Sequence, residues 1–374
     1  MDCAGLKFLT DVGSQAILLL TLLLPLLALG CAVTPGARHL RPYREVSPDD
    51  VDRLLLLRND RIEVGLLPRV GGRIVLLRRP GGRNVLCSDP ALWHTGKEPV
   101  PEPSPDGAFK EYRGHIVWAG PQSEFWGDQD FAPERREEES VWPPDPFLTY
   151  GEFRVVEHGP GHVRLVGPES PVCGLQLTKE VRLRPGTRMV DLSVTGTNAR
   201  ERPVSKDLWS NTRLPGTARC YVPVEPEARV VRIDAPGPDS GDQIALGHEV
   251  VNGYFTFRCR ETIPAGKSAR RAKAFIAEAG LIAAFVGGDL FLKTGTLVET
   301  ELVHPKQAGV EVYNIVHRDP VRSLLELEMH GPFWTLQPGE SMTFEETWEL
   351  VPYGGEDDPA EQTAFLTDSL QIPF

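Results

Sequence analysis

Beyond residue 50 the chain alternates apolar and polar positions in short runs. Among them are "RIEVGLLP", "GRIVLLRR", "EFRVVE", "HVRLVG", "LQLTKEVRLR", "RMVDLSVTGT", "GYFTFRC", "FIAEAGLIAAFV", "VEVYNIV", "LLELEM" and "MTFEETWELV". A period of two puts successive side chains on opposite faces of an extended chain, so each run predicts a half-buried strand. "RPGTR" and "RRPGGRN" supply turn chemistry between neighbours. With almost no 3.6-residue periodicity, the pattern predicts an all-β fold, a large antiparallel sandwich over 51–353. One helix is predicted in a tail over 354–374, where Asp358, Pro359 and Glu361 suit the N-cap, first-turn and capping-box positions. Pro-rich Gly96–Phe109 and charged Glu134–Ser140 read as long loops on one rim.

The start departs from this pattern. "AILLLTLLLPLLALGC" runs from Ala16 to Cys31 without a charge. Its length suits the core of an export signal better than a bilayer span of about 20 residues. "ALGC" is similar to a bacterial lipobox, in which the cysteine, here Cys31, is lipidated and becomes the first residue. Simple cleavage and a retained anchor are the alternatives. Each outcome places the body outside the cytoplasm, as a periplasmic or cell-surface protein held at the membrane by its N-terminal lipid if Cys31 is acylated. The polar stretch 32–50 reads as a flexible tether.

Composition narrows the field. A net charge of −12, with scattered Lys and Arg, offers phosphate backbones no attraction, which excludes nucleic acid as a partner. Cys87, Cys173, Cys220 and Cys259 lie in the body without CxxC or Cys/His spacing, so no metal and no cofactor is expected. Their pairing stays open between disulfides and buried thiols.

Three segments resemble the galactose-mutarotase-like superfamily of carbohydrate-active β-supersandwiches. They are "LLPRVGGRIVLLRRPGGRNVL", "LSVTGTNARERPVSKDLWSNTRLPG" and "LLELEMHGPFWTLQPGESMTFEETWEL", in that order between about Leu54 and Val351. The resemblance implies a sugar pocket in which a carboxylate base takes the proton from the anomeric hydroxyl and a histidine acid gives one to the ring oxygen. Glu326 matches the base, and Glu328 stands two residues along on the same strand face. The histidine segment reads "DLWSNTR", with Trp209, Asn211 and Arg213 in place of the acid. Tryptophan stacks on sugars and Asn or Arg bind hydroxyls, but tryptophan transfers no proton near neutrality.

"RGHIVWAGPQSEFW" offers a replacement, with His115 as the acid and Trp118 and Glu124 lining a subsite, against a reading of all three as core. Lys206, Glu311 and Tyr313 are weaker binding candidates, each balanced by a solvated alternative. Trp142 and Asp145 in "VWPPDPF" read as packing or as a cap on the cleft, and His330 as a turn residue. The leading expectation is an exported, lipid-anchored protein that binds a mono- or oligosaccharide without turnover. A sugar epimerase or lyase-like enzyme, with a Glu base and His115 as acid, is the first alternative. A structural envelope protein without ligand, its tryptophans packed inward, is the second.

Overall fold

The structure, a computed structural model, describes residues 46–51, 53–93, 100–224, 230–234, 247–258 and 269–369. The expected signal, Cys31 and most of the tether lie outside the described residues, as does Cys259. The tether reading needs correction at its end. Ser47 and Asp50 form a reciprocal cap around the helical turn Pro48–Val51, with Ser47 N donating to Asp50 Oδ2 at 2.9 Å and Asp50 N to Ser47 Oγ at 3.3 Å.

Twenty strands follow among the described residues. The first ten are β1 Leu55–Arg58, β2 Glu63–Leu67, β3 Arg73–Arg78, β4 His115–Gly120, β5 Arg154–Gly159, β6 His162–Glu169, β7 Leu175–Leu183, β8 Met189–Asn198, β9 Val204–Pro215 and β10 Arg219–Pro223. Then come β11 Val230–Asp234, β12 His248–Val251, β13 Tyr254–Arg258, β14 Ala269–Ile276, β15 Leu281–Val286, β16 Asp289–Gly295, β17 Val310–His317, β18 Leu324–His330, β19 Trp334–Leu336 and β20 Ser341–Pro352. All pairings are antiparallel and build two ten-stranded sheets. One runs β1-β2-β3-β4-β9-β18-β17-β14-β11, with β19 extending β18's edge of β9. The other runs β12-β13-β10-β15-β16-β20-β8-β7-β6-β5. Among the described residues no helix is long and apolar enough to cross a membrane.

Local sequence explains the joins. Gly71 and Gly72, both at positive φ, make the turn from β2 to β3, where a side chain on Gly71 would strike the Thr149 and Leu148 carbonyls. Gly114, also at positive φ, lets the chain enter β4 past Ile74, whose carbonyl lies 2.2 Å from where a Cβ would stand. "FIAEAGLIAAFV", read as one run, is divided between β14 and β15 by a turn at Glu278, which holds positive φ. Part of the charged loop is helical, Pro133–Glu137, because proline is tolerated in a helix's first turn. Asp358 caps the tail helix Pro359–Ala364 through the amides of Ala360 and Glu361.

The sheets face each other across one continuous core that includes Leu214 and Leu327 from the first and Leu177, Val194 and Trp348 from the second. A polar cluster lies inside it. Lys293 of β16 is fully buried and donates to Ser210 Oγ at 2.8 Å and Thr212 Oγ1 at 3.0 Å on β9, with Glu346 of β20 at 3.2 Å. Ser210 and Thr212 therefore point toward the second sheet, and by alternation Trp209, Asn211 and Arg213 point away from it. Cys87 and Cys173 are buried thiols, and Cys220 is buried.

Candidate functional site

The outer face of the first sheet carries the functional candidates because cross-strand register stacks them. Asn211 of β9 faces Glu328 of β18, which faces Glu311 of β17; Arg213 faces Glu326, which faces Tyr313, which faces Lys273 of β14. Two linked clusters result. In one, Glu326 accepts from Arg213 Nε at 2.7 Å and Asn211 Nδ2 at 2.8 Å. In the other, Lys273 Nζ lies 2.8 Å from Glu328 Oε2 and also pairs with Glu311, while Trp209 Nε1 donates to Glu328 Oε2 at 3.0 Å.

His330, read from sequence as a turn residue, is instead the last residue of β18 and completes the second cluster. Its Nδ1 donates to Asp207 Oδ2 at 2.8 Å, and Nε2 lies 3.5 Å from Glu311 Oε1. Gln307 approaches the same Nδ1 at 2.9 Å. Sequence reasoning missed His330, Lys273 and Asp207. The signal for His330 was present, since alternation along "LELEMH" puts Glu326, Glu328 and His330 on one face. Lys273 and Asp207 reach the cluster only through pairings far apart in sequence.

Burial sets the electrostatics. Burial drives the Glu328 carboxyl up, and Glu326 and Glu311 reinforce it against Lys273, leaving it at about 7. Burial also opposes charge on Glu311, but Lys273 and His330 prevail and hold it at about 2. Burial works against the His330 imidazolium, yet Glu311 and Asp207 raise it to about 9. Burial opposes the charge of Glu326 too, but Arg213 and Asn211 leave its carboxyl below the ordinary range. Near neutrality the face thus holds charged Lys273, His330, Arg213, Glu311 and Glu326, with Glu328 able to keep a proton.

Glu311, Glu328 and His330 bring their ligand atoms within 4.8 Å of one another, a spacing that suits a metal ion. The Lys273 ammonium already pairs with both carboxylates there, so the charge a cation would supply is present.

Trp118 and Trp209 do not form an open platform. Trp209 is 3% exposed and lies between Phe125 at 5.9 Å and His330 at 5.4 Å, both nearly parallel to it. Trp118 is buried against Trp209, donates to Thr149 Oγ1 at 3.1 Å, and stacks with the Arg213 guanidinium at 5.1 Å.

His115 is placed elsewhere. It pairs with Thr212 and its Nδ1 lies 2.9 Å from Thr212 Oγ1, with Trp348 of the second sheet edge-on at 4.7 Å. Its ring therefore lies between the sheets, on the opposite side of β9 from Glu326 and Glu328, and the expected shared pocket does not form. Burial, and then the charges of Lys293 and Lys179, hold the imidazole well below its ordinary range, so it stays neutral. Trp118 stands three positions after His115, an odd offset, which in a strand puts them on opposite faces.

The weaker candidates divide. Glu311 is buried in the second cluster, and Tyr313 is half-buried beside Glu326. Glu124, on the turn after β4, offers its carbonyl to Lys206 Nζ at 3.2 Å and its carboxylate to His304 at 3.3 Å. Buried Lys206 is thus committed to Glu124. Asp145 caps the short helix Pro146–Tyr150 and also accepts from Ser170 Oγ.

Comparison with solved structures shows the fold. A protein of Synechocystis sp. PCC 6803 superposes with a TM-score of 0.51 at 12% identity, over 83% of this chain and 97% of that one. A candidate aldose 1-epimerase of Klebsiella pneumoniae also gives 0.51, at 14% identity, over 84% of this chain and 81% of its own. A galactose mutarotase-like protein of Lactobacillus casei gives 0.47, at 10% identity, over 79% and 99%. The two-sheet fold is that of the galactose mutarotase-like β-sandwich proteins. No curated protein matches. The chain belongs to the family described as Domain of unknown function (DUF4380), whose model matches residues 51–351.

Proposed function

We propose that the protein binds a carbohydrate over Glu326, Arg213, Tyr313 and Lys273 on the outer face of the first sheet, without turning it over. The observation that carries this reading is the contrast in exposure along the face. Glu326 and Lys273 keep part of their side chains open to solvent, 12% each, and Tyr313 is half-buried beside them, so donors and acceptors suited to sugar hydroxyls reach the surface together. Neither His330 nor His115, among the described residues, is placed to donate a proton to a sugar held there. His330 is 1% exposed and engaged with Asp207 and Glu311, and His115 faces the other way. General acid–base exchange needs the acid and the base to reach the same bound sugar together. The aldose 1-epimerase named among the fold neighbours makes a sugar the natural ligand class to try first.

The test is a thermal-shift and calorimetric screen of mono- and oligosaccharides. A ligand at a hundred times its dissociation constant stabilises the fold by about 2.7 kcal/mol. Glu326→Gln should weaken binding by about 1.5 to 3 kcal/mol, the range of a charge-assisted hydrogen bond. An unchanged affinity in Glu326→Gln would remove this face as the site.

We further propose that the chain is exported and anchored by lipid at Cys31, supported by the uncharged run that ends in "ALGC". A second reading, a structural envelope protein without ligand, draws support from the burial of Trp118 and Trp209. It predicts no stabilisation by any saccharide in the same screen.

A further inference from the structure

A sugar stacks its C–H face only on an aromatic ring that solvent can reach. Five of the seven tryptophans, Trp93, Trp118, Trp126, Trp209 and Trp348, are no more than 3% exposed. Trp142 and Trp334 are 45% and 50% exposed. Trp334 pairs with Lys206, seven residues from Arg213 and so about 23 Å along the strand. Trp142 is linked to the polar row through Trp118. Its ring centroid lies 6.4 Å from that of Trp118, whose ring in turn carries the Arg213 guanidinium at 5.1 Å.

The support beneath Trp142 is fixed. Phe109 meets its ring edge-on at 4.8 Å, and Arg135 donates to its carbonyl at 3.2 Å. Trp126 Nε1 donates to the next carbonyl, that of Pro143, at 2.7 Å, and Asp145 two residues on caps a helix. A large apolar ring half open to water and held on a braced loop beside donors and acceptors has the form of a ligand platform. Phe131 and Val141, also between β4 and β5, are 41% and 46% exposed.

We infer that Trp142 is the stacking platform of a second subsite, and that the ligand is an oligosaccharide reaching from Glu326 and Arg213 across Trp118 to Trp142. This rests on the carbohydrate reading of the sheet face. A free monosaccharide engages one end of this track; a chain of several sugars engages both.

The experiment titrates the full-length protein in detergent with glucose, cellotetraose, maltotetraose and chitotetraose. Acrylamide quenching of tryptophan fluorescence reports access to the exposed rings, in wild type, Trp142→Ala, Trp334→Ala and Glu326→Gln of equal melting temperature. At least one tetrasaccharide should bind wild type at least about tenfold more tightly than glucose and shield part of the quenchable emission. Trp142→Ala should lose about tenfold or more for that tetrasaccharide and lose the shielding, while Trp334→Ala keeps both. If Trp142→Ala binds the tetrasaccharide as wild type does and Glu326→Gln does not, the platform is refuted and the sheet-face reading stands. If no saccharide binds wild type, both fall. Unchanged tetrasaccharide affinity together with loss of self-association in Trp142→Ala would assign the ring to a protein contact and overturn the inference.

Discussion

Lys273→Met is the sharpest probe of how the outer face is held together. Methionine keeps the apolar stem but removes an ammonium that lies 2.8 Å from Glu328, pairs with Glu311, and sits 5.0 Å from the Trp209 ring. Both carboxylates are 1% exposed, so neither can turn to water. Removing one partner of a buried pair typically costs about 3 to 5 kcal/mol. Here two features reduce that cost. Glu311 keeps His330 at 3.5 Å, and Glu328, already near 7, can escape its charge by taking a proton. The loss should therefore be about 3 kcal/mol at pH 8, where protonating Glu328 is costly, and smaller at pH 5.5, where it is not. Urea unfolding followed by tryptophan fluorescence and circular dichroism at both pH values reads this directly. In a Glu328→Gln background the same substitution should cost at least about 1 kcal/mol less, a coupling a double-mutant cycle isolates. A loss under about 1 kcal/mol at both pH values, or strict additivity with Glu328→Gln, would refute the claim that this ammonium neutralises the pair.

Other expectations follow from the same geometry. Wild-type stability should fall as pH rises from about 5 to about 9. Glu328, raised from 4.5 to about 7, holds a proton that the unfolded chain has released, and His330, raised from 6.5 to about 9, loses its stabilising charge over that window. Glu311, lowered from 4.5 to about 2, acts at the acid end, its contribution disappearing as pH falls through that range. A flat unfolding profile from pH 5 to 9 would contradict these shifts. Trp209→Ala should destabilise by about 3 to 5 kcal/mol, because it empties the slot between Phe125 and His330 and leaves Glu328 without its indole donor; unchanged urea stability would mean the slot closes up. Cys31→Ser should shift the protein from the membrane to the soluble fraction without altering its melting temperature, since each lost methylene of the anchor removes about 0.8 kcal/mol of membrane affinity. Retention in the membrane at wild-type level would point to an uncleaved anchor instead.

The strands were legible where one side of a sheet faces solvent. β8 alternates strictly between half-open and buried positions, and β7 alternates too, with Lys179 the one charged residue in its buried phase. β4 was harder, because all six of its residues are buried between β3 and β9 and its polarity does not alternate with exposure. Alternation also carried part of the site. It placed Glu326 beside Glu328 and, followed two residues further, would have added His330. It could equally have separated His115 from Trp118, which three residues of strand necessarily put on opposite faces. What periodicity cannot provide is which strands are neighbours. Lys273 meets Glu328 across β17, and Lys293 meets Ser210 across the space between the sheets. Those contacts depend on register and sheet packing, which no single run of sequence contains.

The central claim is that a saccharide lies on the outer face of the first sheet. A crystal structure of the protein with the tightest-binding oligosaccharide from the screen tests it most directly. The account predicts sugar density over Glu326, Arg213 and Tyr313, with one ring stacked on Trp142 and His115 untouched between the sheets. Density at any other surface, with Glu326 still bound only to Arg213 and Asn211, would contradict it.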